Sequence, residues 1–508
     1  MMGPVARQVS MIALGSLCFV MAGVALLMLN EPRGPLVLIG LACGATASLV
    51  LLAQPILALE LALMLRLLPN GLYAPELDML FTVVVNGLLA LALGAWVLQA
   101  LSRREPVIWN PTCVLLGCHI AWCAVTVAWA ADPVAARRSL VAYSAGWLLL
   151  FLLTNEVRTV RALDSVMRAL RFVGWIMIGG GFYAALFSAF EFGERLKVHN
   201  VNGNQYGVIL IAMLPGVIWP VLRRSGAGHS RYLGLSVIFI VSMLVLVALT
   251  GSRGSSLSLL LVLFLFWFWK PVRPWGLVGL VLLCGLTAVA PFVLDSVMTR
   301  FETGDGDLGG RSAIWQASFW ILQDVLWTGV GTGNGPARLA AYIAAVTSDF
   351  RYRVDLPSHN PFLEVGLDAG LLGILLYGAT VVSAVLQLVA ARSRLAGTGQ
   401  GLAGYYPLVL VAAIGYFTVW IKGGGLQSDL AFFTILALLI MPSQLRPAPA
   451  AAPSTPTPSG KAWKGPWEPG RYPAAIPPAL PPVGVGPAAA GHGPPSLGRT
   501  TARRGPSR

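Results

Sequence analysis

Long apolar runs recur along this chain of 508 residues and restrict what it can fold into. Hydrophobic residues make up 56% of the sequence and charged residues only 11%, with a mean hydropathy of +0.74. We therefore predict an all-α, polytopic integral membrane protein with about 12–14 transmembrane helices, because about twenty apolar residues cross a bilayer as a helix. The runs lie at 9–29, 35–53, 55–69, 79–101, 111–130, 138–154, 169–190, 204–222, 232–250, 255–270, 275–294, 361–391, 404–421 and 426–442.

The sequence divides into three regions by composition. Residues 1–168 hold N-terminal transmembrane helices, and residues 169–442 form a membrane core that includes a large polar loop at 295–358. Residues 443–508 are basic and rich in Pro, Ala and Gly, so we predict a disordered tail that touches anionic lipid headgroups or is only solvated. The run at 55–69 is short and carries Glu60 and Arg66, which indicates a tilted or half-crossing helix.

Basic residues occupy every second short loop, which predicts the topology. Loops with many Lys and Arg remain cytoplasmic, so both termini are predicted to be cytoplasmic and the loop 295–358 to lie on the outer face. Apolar residues in that loop recur at helical spacing, which predicts amphipathic helices lying against the membrane. These residues are Trp315, Trp320, Leu322 and Leu326.

Several kinds of site are not indicated by the sequence. None of the six cysteines forms a Cys-x-x-Cys pair, so neither a disulfide framework nor a zinc site is expected, and Cys118 and His119 are read as packing residues. The glycine-rich segment 329–335 lacks the Lys-Ser/Thr of a nucleotide-binding P-loop. Asp305 and Asp307 suit a structural turn better than a calcium site. We expect no cofactor, no metal and no nucleic-acid partner.

The stretch 358–373 joins the polar loop to an apolar run, so a helix should begin there. Ser358 is predicted to be the N-cap, Pro361 to fit the first turn, and His359 to lie on that turn at the membrane surface. Three glycines at steps of four and three predict a bare stripe that a neighbouring helix approaches closely. These are Gly366, Gly370 and Gly373. The alternative is an ordinary capped membrane helix with an interfacial histidine.

Three outer-face arginines, Arg195, Arg253 and Arg311, oppose the charge rule that sets orientation. Arg253 lies in a short turn where Ser252 or Thr250 can cap the next helix, so a guanidinium and a positive helix terminus coincide. This arrangement predicts an anion site, and the alternative is an arginine that reaches the lipid headgroups.

Two weaker signals lie elsewhere on the predicted outer face. Arg311 begins a segment in which Trp315 can hold a helix at the interface. The loop 191–205 is rich in cationic and amide groups that suit sugar hydroxyls or phosphate. Its polar residues are Arg195, Lys197, His199, Asn200, Asn202, Asn204 and Gln205.

Residues 170–440 resemble the O-antigen ligase and O-antigen polymerase superfamily of bacterial envelope glycosyltransferases, and are closest to the ligases. His359-Asn360 is followed by Gly370 and Gly373 at the spacing of the ligase motif. Arg253 and Leu257 match an outer-face Arg-x-x-x-Leu, and Arg311 with Trp315 matches an arginine ahead of a tryptophan in the large loop. In the Asn-rich segment, Gly203 replaces the usual proline, which weakens a role for Asn202 or Asn204.

The resemblance implies about twelve transmembrane helices and an active site that faces the periplasm from the inner membrane. It implies a glycan donor linked to undecaprenyl diphosphate, and as acceptor lipid A core or a growing glycan. Arg253 and Arg311 are then expected to stabilise the leaving diphosphate, and His359 to act on the acceptor hydroxyl, with inversion at the anomeric carbon. The expected substrate-binding residues are Arg195, His199, Asn200, Asn204 and Asn360.

Other functions use the same residue types. Within the superfamily, an O-antigen or exopolysaccharide polymerase and a protein O-oligosaccharyltransferase share the expected active residues. Outside it, a transporter of polysaccharide or lipid would use the outer-face arginines only for binding. The concentration of polar groups on one face, instead of near the midplane between repeats, favours catalysis.

Overall fold

The structure is a computed structural model that describes most of the chain between Ser48 and Leu445. The described residues all lie in the first of two compact units, Met1–Ala448. The predicted disordered tail, 443–508, lies outside the described residues from 446 onward, and its first two residues, 443–444, are helical instead of disordered. The described residues are 48, 50–68, 78–104, 106–187, 196, 198, 201, 203–223, 227–281, 284, 311–346, 357–397, 402–422 and 430–445.

Helices make up nearly all of the regular structure in these ranges, and the extended pairing found there is one isolated bridge between Val198 and Val201. We number thirteen α-helices, and residues 273–281 are also helical. They are α1 Pro55–Leu67, α2 Asp78–Arg103, α3 Pro111–Thr126, α4 Pro133–Glu156, α5 Val160–Phe187, α6 Gly203–Arg223, α7 Ala227–Leu249, α8 Arg253–Phe266, α9 Arg311–Asp324, α10 Gly335–Val346, α11 Pro361–Gly397, α12 Tyr405–Trp420 and α13 Leu430–Gln444.

The helices confirm an all-α polytopic membrane protein. Among the described residues, 7 helices are long and apolar enough to cross a membrane, and three shorter apolar ones are Arg253–Phe266, Tyr405–Trp420 and Ala431–Gln444. The predicted spans at 9–29, and most of those at 35–53 and 275–294, lie outside the described residues. The count of 12–14 therefore stays a prediction.

Helix α1 is too short to cross a bilayer, as its sequence indicated. Its 13 residues extend about 20 Å, against a hydrocarbon core of about 30 Å. Its Glu60 is buried, with Oε1 4.0 Å from Nη1 of Arg168, and Nη1 of Arg66 donates to Oδ1 of Asn86 at 2.9 Å. The two charged residues that made this run doubtful therefore contact α5 and α2.

Arginines from two of the predicted cytoplasmic loops, Arg103 and Arg158, are found at one end of the bundle, which we call the basic end. Arg158 donates to the carbonyl of Pro106 at 3.1 Å, close to Arg103 in the last turn of α2. At the same end, Asn110 at the start of α3 exchanges hydrogen bonds with Gln387 of α11. The clustering agrees with the predicted alternation of loops, while the side of the membrane stays a prediction.

Candidate active site

Helix α11, which follows His359 and Asn360, bends sharply at Gly370. The ring centroids of Phe362 and Tyr377 lie 5.8 Å apart, whereas fifteen residues of straight helix would separate them by about 22 Å. Gly370 has φ 65° and ψ −164°, a backbone conformation that is essentially restricted to glycine. The first half of α11, residues 361–369, therefore folds back against the second half, residues 371–397.

This bend corrects the prediction of one straight span with a glycine stripe. A Cβ on Gly366 would lie 2.8 Å from Cδ1 of Ile374, and one on Gly373 would lie 2.6 Å from Cβ of Ala369. The two glycines thus let the halves of α11 approach each other. A neighbouring helix does approach the stripe at Gly366, whose Cβ would lie 3.2 Å from Cδ1 of Leu322 in α9. The straight helix was wrong, because helical spacing cannot reveal a positive φ at Gly370.

The backbone groups released by the bend have new partners, as buried peptide groups require. The carbonyl of Leu367 accepts from the Val330 amide at 2.7 Å, and that of Ala369 accepts from Nε1 of Trp122 at 2.7 Å. The Leu371 amide donates to the carbonyl of Leu326 at 2.6 Å. The bend is therefore fixed by α3 and by the segment that follows α9.

The start of α11 also differs from its prediction in the capping residue. Oδ1 of Asn360 accepts from the amides of Phe362 and Leu363 at 3.0 and 3.2 Å, so Asn360 is the N-cap and Ser358 is not. Ser358 instead closes a turn, with its Oγ donating to the Asn360 carbonyl at 2.8 Å. His359 precedes the helix in a left-handed conformation, with φ 53°, and is partly exposed.

The turn that carries Arg253 matches its prediction. Oγ of Ser252 accepts from the Ser255 amide at 3.2 Å, so Ser252 caps α8 and Arg253 is its first, exposed residue. Ser252 also donates to Oδ1 of Asn204 at 2.5 Å, and Ser255 donates to the Asn204 carbonyl at 3.3 Å. No salt bridge found between described residues involves Arg253. A cation and a helix N-terminus therefore coincide beside Asn204.

The Arg253 turn and the His359 turn adjoin the same end of α12. A Cβ on Gly254 would lie 3.9 Å from Cγ1 of Val419. The next residue, Trp420, has its ring 5.9 Å from Phe362 and stacks on Phe432 at 5.3 Å. We call this end of the bundle the site end.

The Arg253 and His359 turns lie at a different level of the bundle from the ends of α3 and of the second half of α11. Helices α8, α12 and α13 contain 14, 16 and 15 residues, or about 21–24 Å, and they stop near Phe362 and Tyr377. Helix α3 and the second half of α11 extend beyond this level. Trp122 of α3 donates to the Ala369 carbonyl at the bend, and the hydroxyl of Thr126, at the end of α3, contacts that of Thr332. Tyr377 is seven residues, about 10 Å, beyond the bend. The two turns therefore lie below the outer ends of α3 and α11.

Helices α9 and α10 with the loop 325–334 form a unit on top of this region, which we call the cap. A buried carboxylate fastens it: Oδ2 of Asp368 accepts from the Gly333 amide and Oδ1 from the Gly335 amide, both at 2.8 Å. Gly335 begins α10, so a negative charge lies at a helix N-terminus, where it is stabilising. The glycine-rich loop thus binds a carboxylate of its own chain, in agreement with the absence of a P-loop.

The cap also corrects the predicted membrane face of α9. Leu322 is buried against α11, next to Gly366, and Leu326 lies beyond the end of the helix. Part of the predicted lipid-facing stripe therefore packs on protein.

The other expected site residues are placed only in part. Arg311 is the first residue of α9. Helix α9 runs parallel to the first half of α11, because Leu322 lies beside Gly366 and Leu326, further along, lies beside Leu371. The Arg311 end of α9 therefore lies toward the start of α11. Arg195, His199 and Asn200 lie outside the described residues. Leu196, between them, donates its amide to the Leu249 carbonyl at 2.9 Å, close to the Arg253 turn.

Sequence reasoning missed two acidic residues of the half-helix. Glu364 and Asp368 are both buried and lie four residues apart, on one face of residues 361–369. Two carboxylates within an apolar run were a usable signal, because charged residues inside membrane segments are expensive unless they have a function or a partner. Asp368 has its partners in the cap.

One comparison with known proteins matches the part of the chain that contains both turns. The family model described as O-antigen ligase matches residues 238–378, which include Arg253, Arg311, His359 and Asn360. The match confirms the resemblance to the O-antigen ligase and polymerase superfamily, and at that level it supports a membrane glycosyltransferase. Asn204 lies outside the matched segment.

The other two comparisons carry no functional weight. None of the curated proteins matches the chain. A solved structure described as "Structural coordination of polymerization and crosslinking by a peptidoglycan synthase complex" is similar at 18% sequence identity and a TM-score of 0.38. The similarity covers 66% of this chain and 96% of that one.

Proposed function

We propose that this chain transfers a glycan from an undecaprenyl-diphosphate-linked donor to an acceptor hydroxyl, on the periplasmic face of the bacterial inner membrane. The acceptor that we propose is lipid A core, as in O-antigen ligation. The observation that carries the proposal is that the Arg253 turn and the His359 turn adjoin the same end of α12, at a level below the ends of α3 and α11.

The level of the two turns suits a donor whose reactive bond lies near the membrane surface. A polyprenyl chain stays in the bilayer, so its diphosphate is held at the level of the lipid headgroups. The exposed guanidinium of Arg253 and the N-terminus of α8 offer charge and N–H groups to that diphosphate. Asn204 holds this turn through Ser252 and Ser255 and is proposed to contribute to donor binding.

The proposed reaction is a single displacement. The acceptor oxygen forms a bond to the anomeric carbon while the bond from that carbon to the diphosphate oxygen breaks, and its electron pair leaves with the diphosphate. His359 takes the proton of the acceptor hydroxyl, and Arg253 and Arg311 stabilise the charge that develops on the leaving group. The anomeric configuration inverts because one displacement occurs. No nucleotide is required, since the diphosphate ester is already activated.

The remaining polar residues are proposed to bind substrate. Asn360 uses its side-chain oxygen to cap α11, so its amide nitrogen is the group available to a sugar hydroxyl. Arg195, His199 and Asn200 belong to the loop that contacts the end of α7 through Leu196, and we propose that they contact the glycan.

Transfer by a histidine variant tests the general base. His359→Ala should lower the rate of glycan transfer by about 100- to 10,000-fold and leave donor binding nearly unchanged. The matched control is His229→Ala, because that histidine lies in α7 at the basic end, with Nδ1 3.2 Å from the Val221 carbonyl. Turnover by His359→Ala equal to that of His229→Ala would reject the mechanism.

An arginine variant tests the anion site. Arg253→Lys keeps the charge and loses the planar fork, so transfer should fall by about 100- to 1,000-fold with weaker donor binding. The control is Arg161→Lys, an exposed arginine at the basic end. Wild-type donor binding and transfer by both Arg253→Lys and Arg253→Ala would remove the argument for a diphosphate substrate.

The acceptor is tested by offering several to the purified protein in liposomes. Ligation predicts product on lipid A core, and cells without the gene should then carry bare core and accumulate the full lipid-linked polymer. Product only on a second lipid-linked repeat unit identifies a polymerase, and product only on protein identifies an oligosaccharyltransferase. Movement of the donor across the bilayer without any glycosyl transfer would identify a transporter.

A further inference from the structure

The cap has an aromatic side that the proposed reaction does not use. Phe319, Trp320 and Trp327 are 53%, 44% and 73% exposed, although the opposite side of α9 is buried on α11 through residues such as Ile321 and Leu322. Large apolar side chains grouped on a surface mark an interaction site.

The level of this aromatic side is fixed by two membrane spans. The carbonyl of Trp327 would be 2.6 Å from a Cβ on Gly370, where α11 bends. Trp129, 40% exposed, is the last residue of the span Pro111–Trp129, and its ring lies 6.1 Å from Trp122, which donates to the Ala369 carbonyl. Trp129 and Trp327 therefore both lie near residues 369–370, at the outer end of α3 and at the bend of α11.

The other helix of the cap presents a different surface. The exposed positions of α10 within residues 337–345 are small or charged: Ala337, Arg338, Ala341, Ala344 and Ala345. The two helices of the cap thus differ: three aromatic rings are exposed on α9 and the segment after it, whereas the aromatic residue of α10, Tyr342, is only partly exposed and lies 6.3 Å from the Trp320 ring. Tryptophan and other amphipathic aromatic residues collect where spans leave the hydrocarbon, because the ring is apolar and its N–H can bond to headgroups or water.

We infer that the aromatic side of α9, with Trp327 and Trp129, lies in the headgroup region of the bilayer, so that the cap rests on lipid through α9 and faces water through α10. The occupant is the phospholipid bilayer itself, since the surface is continuous with the ends of two spans. The inference is independent of the proposed glycosyl transfer. Helix α9 would then contact the membrane, as its sequence predicted, but of the four predicted lipid-facing residues only Trp320 belongs to this aromatic side.

Photolabelling of the wild-type chain in liposomes tests the inference without a variant. Two phospholipid probes are used, one with a diazirine beside the headgroup and one with a diazirine at the end of the acyl chain. Mass spectrometry of the peptides should find headgroup-probe adducts on residues 319–327 and on Trp129, and none on the exposed alanines of α10, Ala337, Ala341, Ala344 and Ala345. The acyl-chain probe should label exposed residues within a span, such as Val382 and Leu386 of α11, which are 57% and 60% exposed.

The alternatives give different results. Headgroup-probe adducts at equal levels on α9 and α10 would overturn the inference. So would the absence of such adducts from both helices when the acyl-chain probe labels Val382 and Leu386. Adducts on α9 that appear only in nanodiscs holding one chain, and vanish at high protein density, would assign this side to a second copy and also overturn it. Adducts on α9 that persist in both preparations support the bilayer.

Discussion

The two turns that carry the proposed reaction are built in different ways. The helix cap of the Arg253 turn is formed within one helical turn, where Ser252 accepts from the Ser255 amide, and Ser252 also donates to Asn204 of α6. The His359 turn begins a half-helix of nine residues that ends at a glycine with φ 65°. That half-helix is fastened by Asp368 to residues 333 and 335, more than thirty positions away. The proposed general base therefore depends on a bend and on a distant loop, whereas the proposed anion site has a local helix cap with one distant partner, Asn204.

The difference suggests how each turn serves its substrate. A diphosphate is bound by charge and N–H groups, which tolerate small displacements, so a locally capped helix is sufficient. A general base must lie within hydrogen-bond reach of one proton, so its backbone benefits from a rigid support. Changes in the support of the His359 turn should therefore affect stability more than changes at the Arg253 turn.

The largest effect is expected for Gly370→Ala. The backbone conformation is essentially restricted to glycine, and the new Cβ would lie 2.6 Å from the Trp327 carbonyl oxygen. The variant should lose about 3 kcal/mol or more of stability, together with glycan transfer. Thermal unfolding in detergent and a transfer assay measure both quantities.

Gly378→Ala is the matched control for this change. Gly378 lies in the second half of α11, and its Cβ would make an ordinary contact, 3.8 Å from Cε1 of Phe362. Alanine in a helix interior is favoured over glycine by about 0.5–1 kcal/mol, so this variant should be as stable as wild type or slightly more stable. Equal stability of the two variants would mean that α11 does not bend at Gly370.

Asp368→Asn should have the next largest effect. Hydrogen bonds to a charged group contribute about 1.5–3 kcal/mol. The asparagine side chain has one oxygen, so it can accept from one of the two backbone N–H groups, of Gly333 and Gly335, while its NH2 group faces the other. We expect a loss of about 2–3 kcal/mol, cleavage of the cap by protease at lower concentrations, and reduced transfer with donor binding preserved. The control is Asp324→Asn, at the exposed end of α9. Identical protease sensitivity of the two variants would show that Asp368 does not fasten the cap.

A smaller effect is expected at the Arg253 turn for Ser252→Ala. Loss of an N-cap costs about 1 kcal/mol, and the link to Asn204 is lost with it. Donor binding should weaken because the turn that carries Arg253 is less constrained, while the protease sensitivity of the cap stays unchanged. Ser256→Ala, four residues along the same helix, is the control. A cap that becomes sensitive in Ser252→Ala would contradict the separation of the two turns.

The same contrast explains what the sequence could predict. Ser252 and Thr250 were the two predicted candidates for the cap of α8, and one of them, Ser252, is the cap, because the residues that decide it lie within one helical turn. The helix start near Pro361 was also correct, but the cap was placed at Ser358 instead of Asn360, since both residue types can cap and only the turn geometry selects one. The membrane fold followed from the apolar runs, whose length alone fixes the helices.

Features that depend on contacts between residues distant in sequence could not be predicted from the sequence. The bend at Gly370 depends on backbone partners from Leu326 to Gly331 and on Trp122, which no local pattern connects with the His359 motif. The buried role of Asp368 likewise depends on amides of a distant loop. Arg195, His199 and Asn200 lie outside the described residues, so their roles remain predictions.

The smallest expected effect concerns Asp132, where the cap meets α4 away from both turns. The backbone amides of Ala135 and Val134 lower the pKa of this carboxyl, because they donate to its charged form, and nearby arginines act in the same direction. Its backbone amide donates to Oδ1 of Asn334 in the cap loop at 2.7 Å. Because the pKa is lower in the folded protein, the carboxylate stabilises the fold above the ordinary pKa of aspartate, about 3.9, and this contribution is lost as the pH falls below it.

Asp132→Asn isolates that contribution, since asparagine is as good an N-cap and does not titrate in this range. The unfolding temperature of wild type minus that of Asp132→Asn should be small and constant between about pH 5 and 7, and should decrease as the pH falls below about 4. Other carboxyl groups titrate equally in both proteins and cancel in the difference. A difference that stays constant through this range, or increases toward low pH, would show that the Asp132 carboxylate does not stabilise the start of α4.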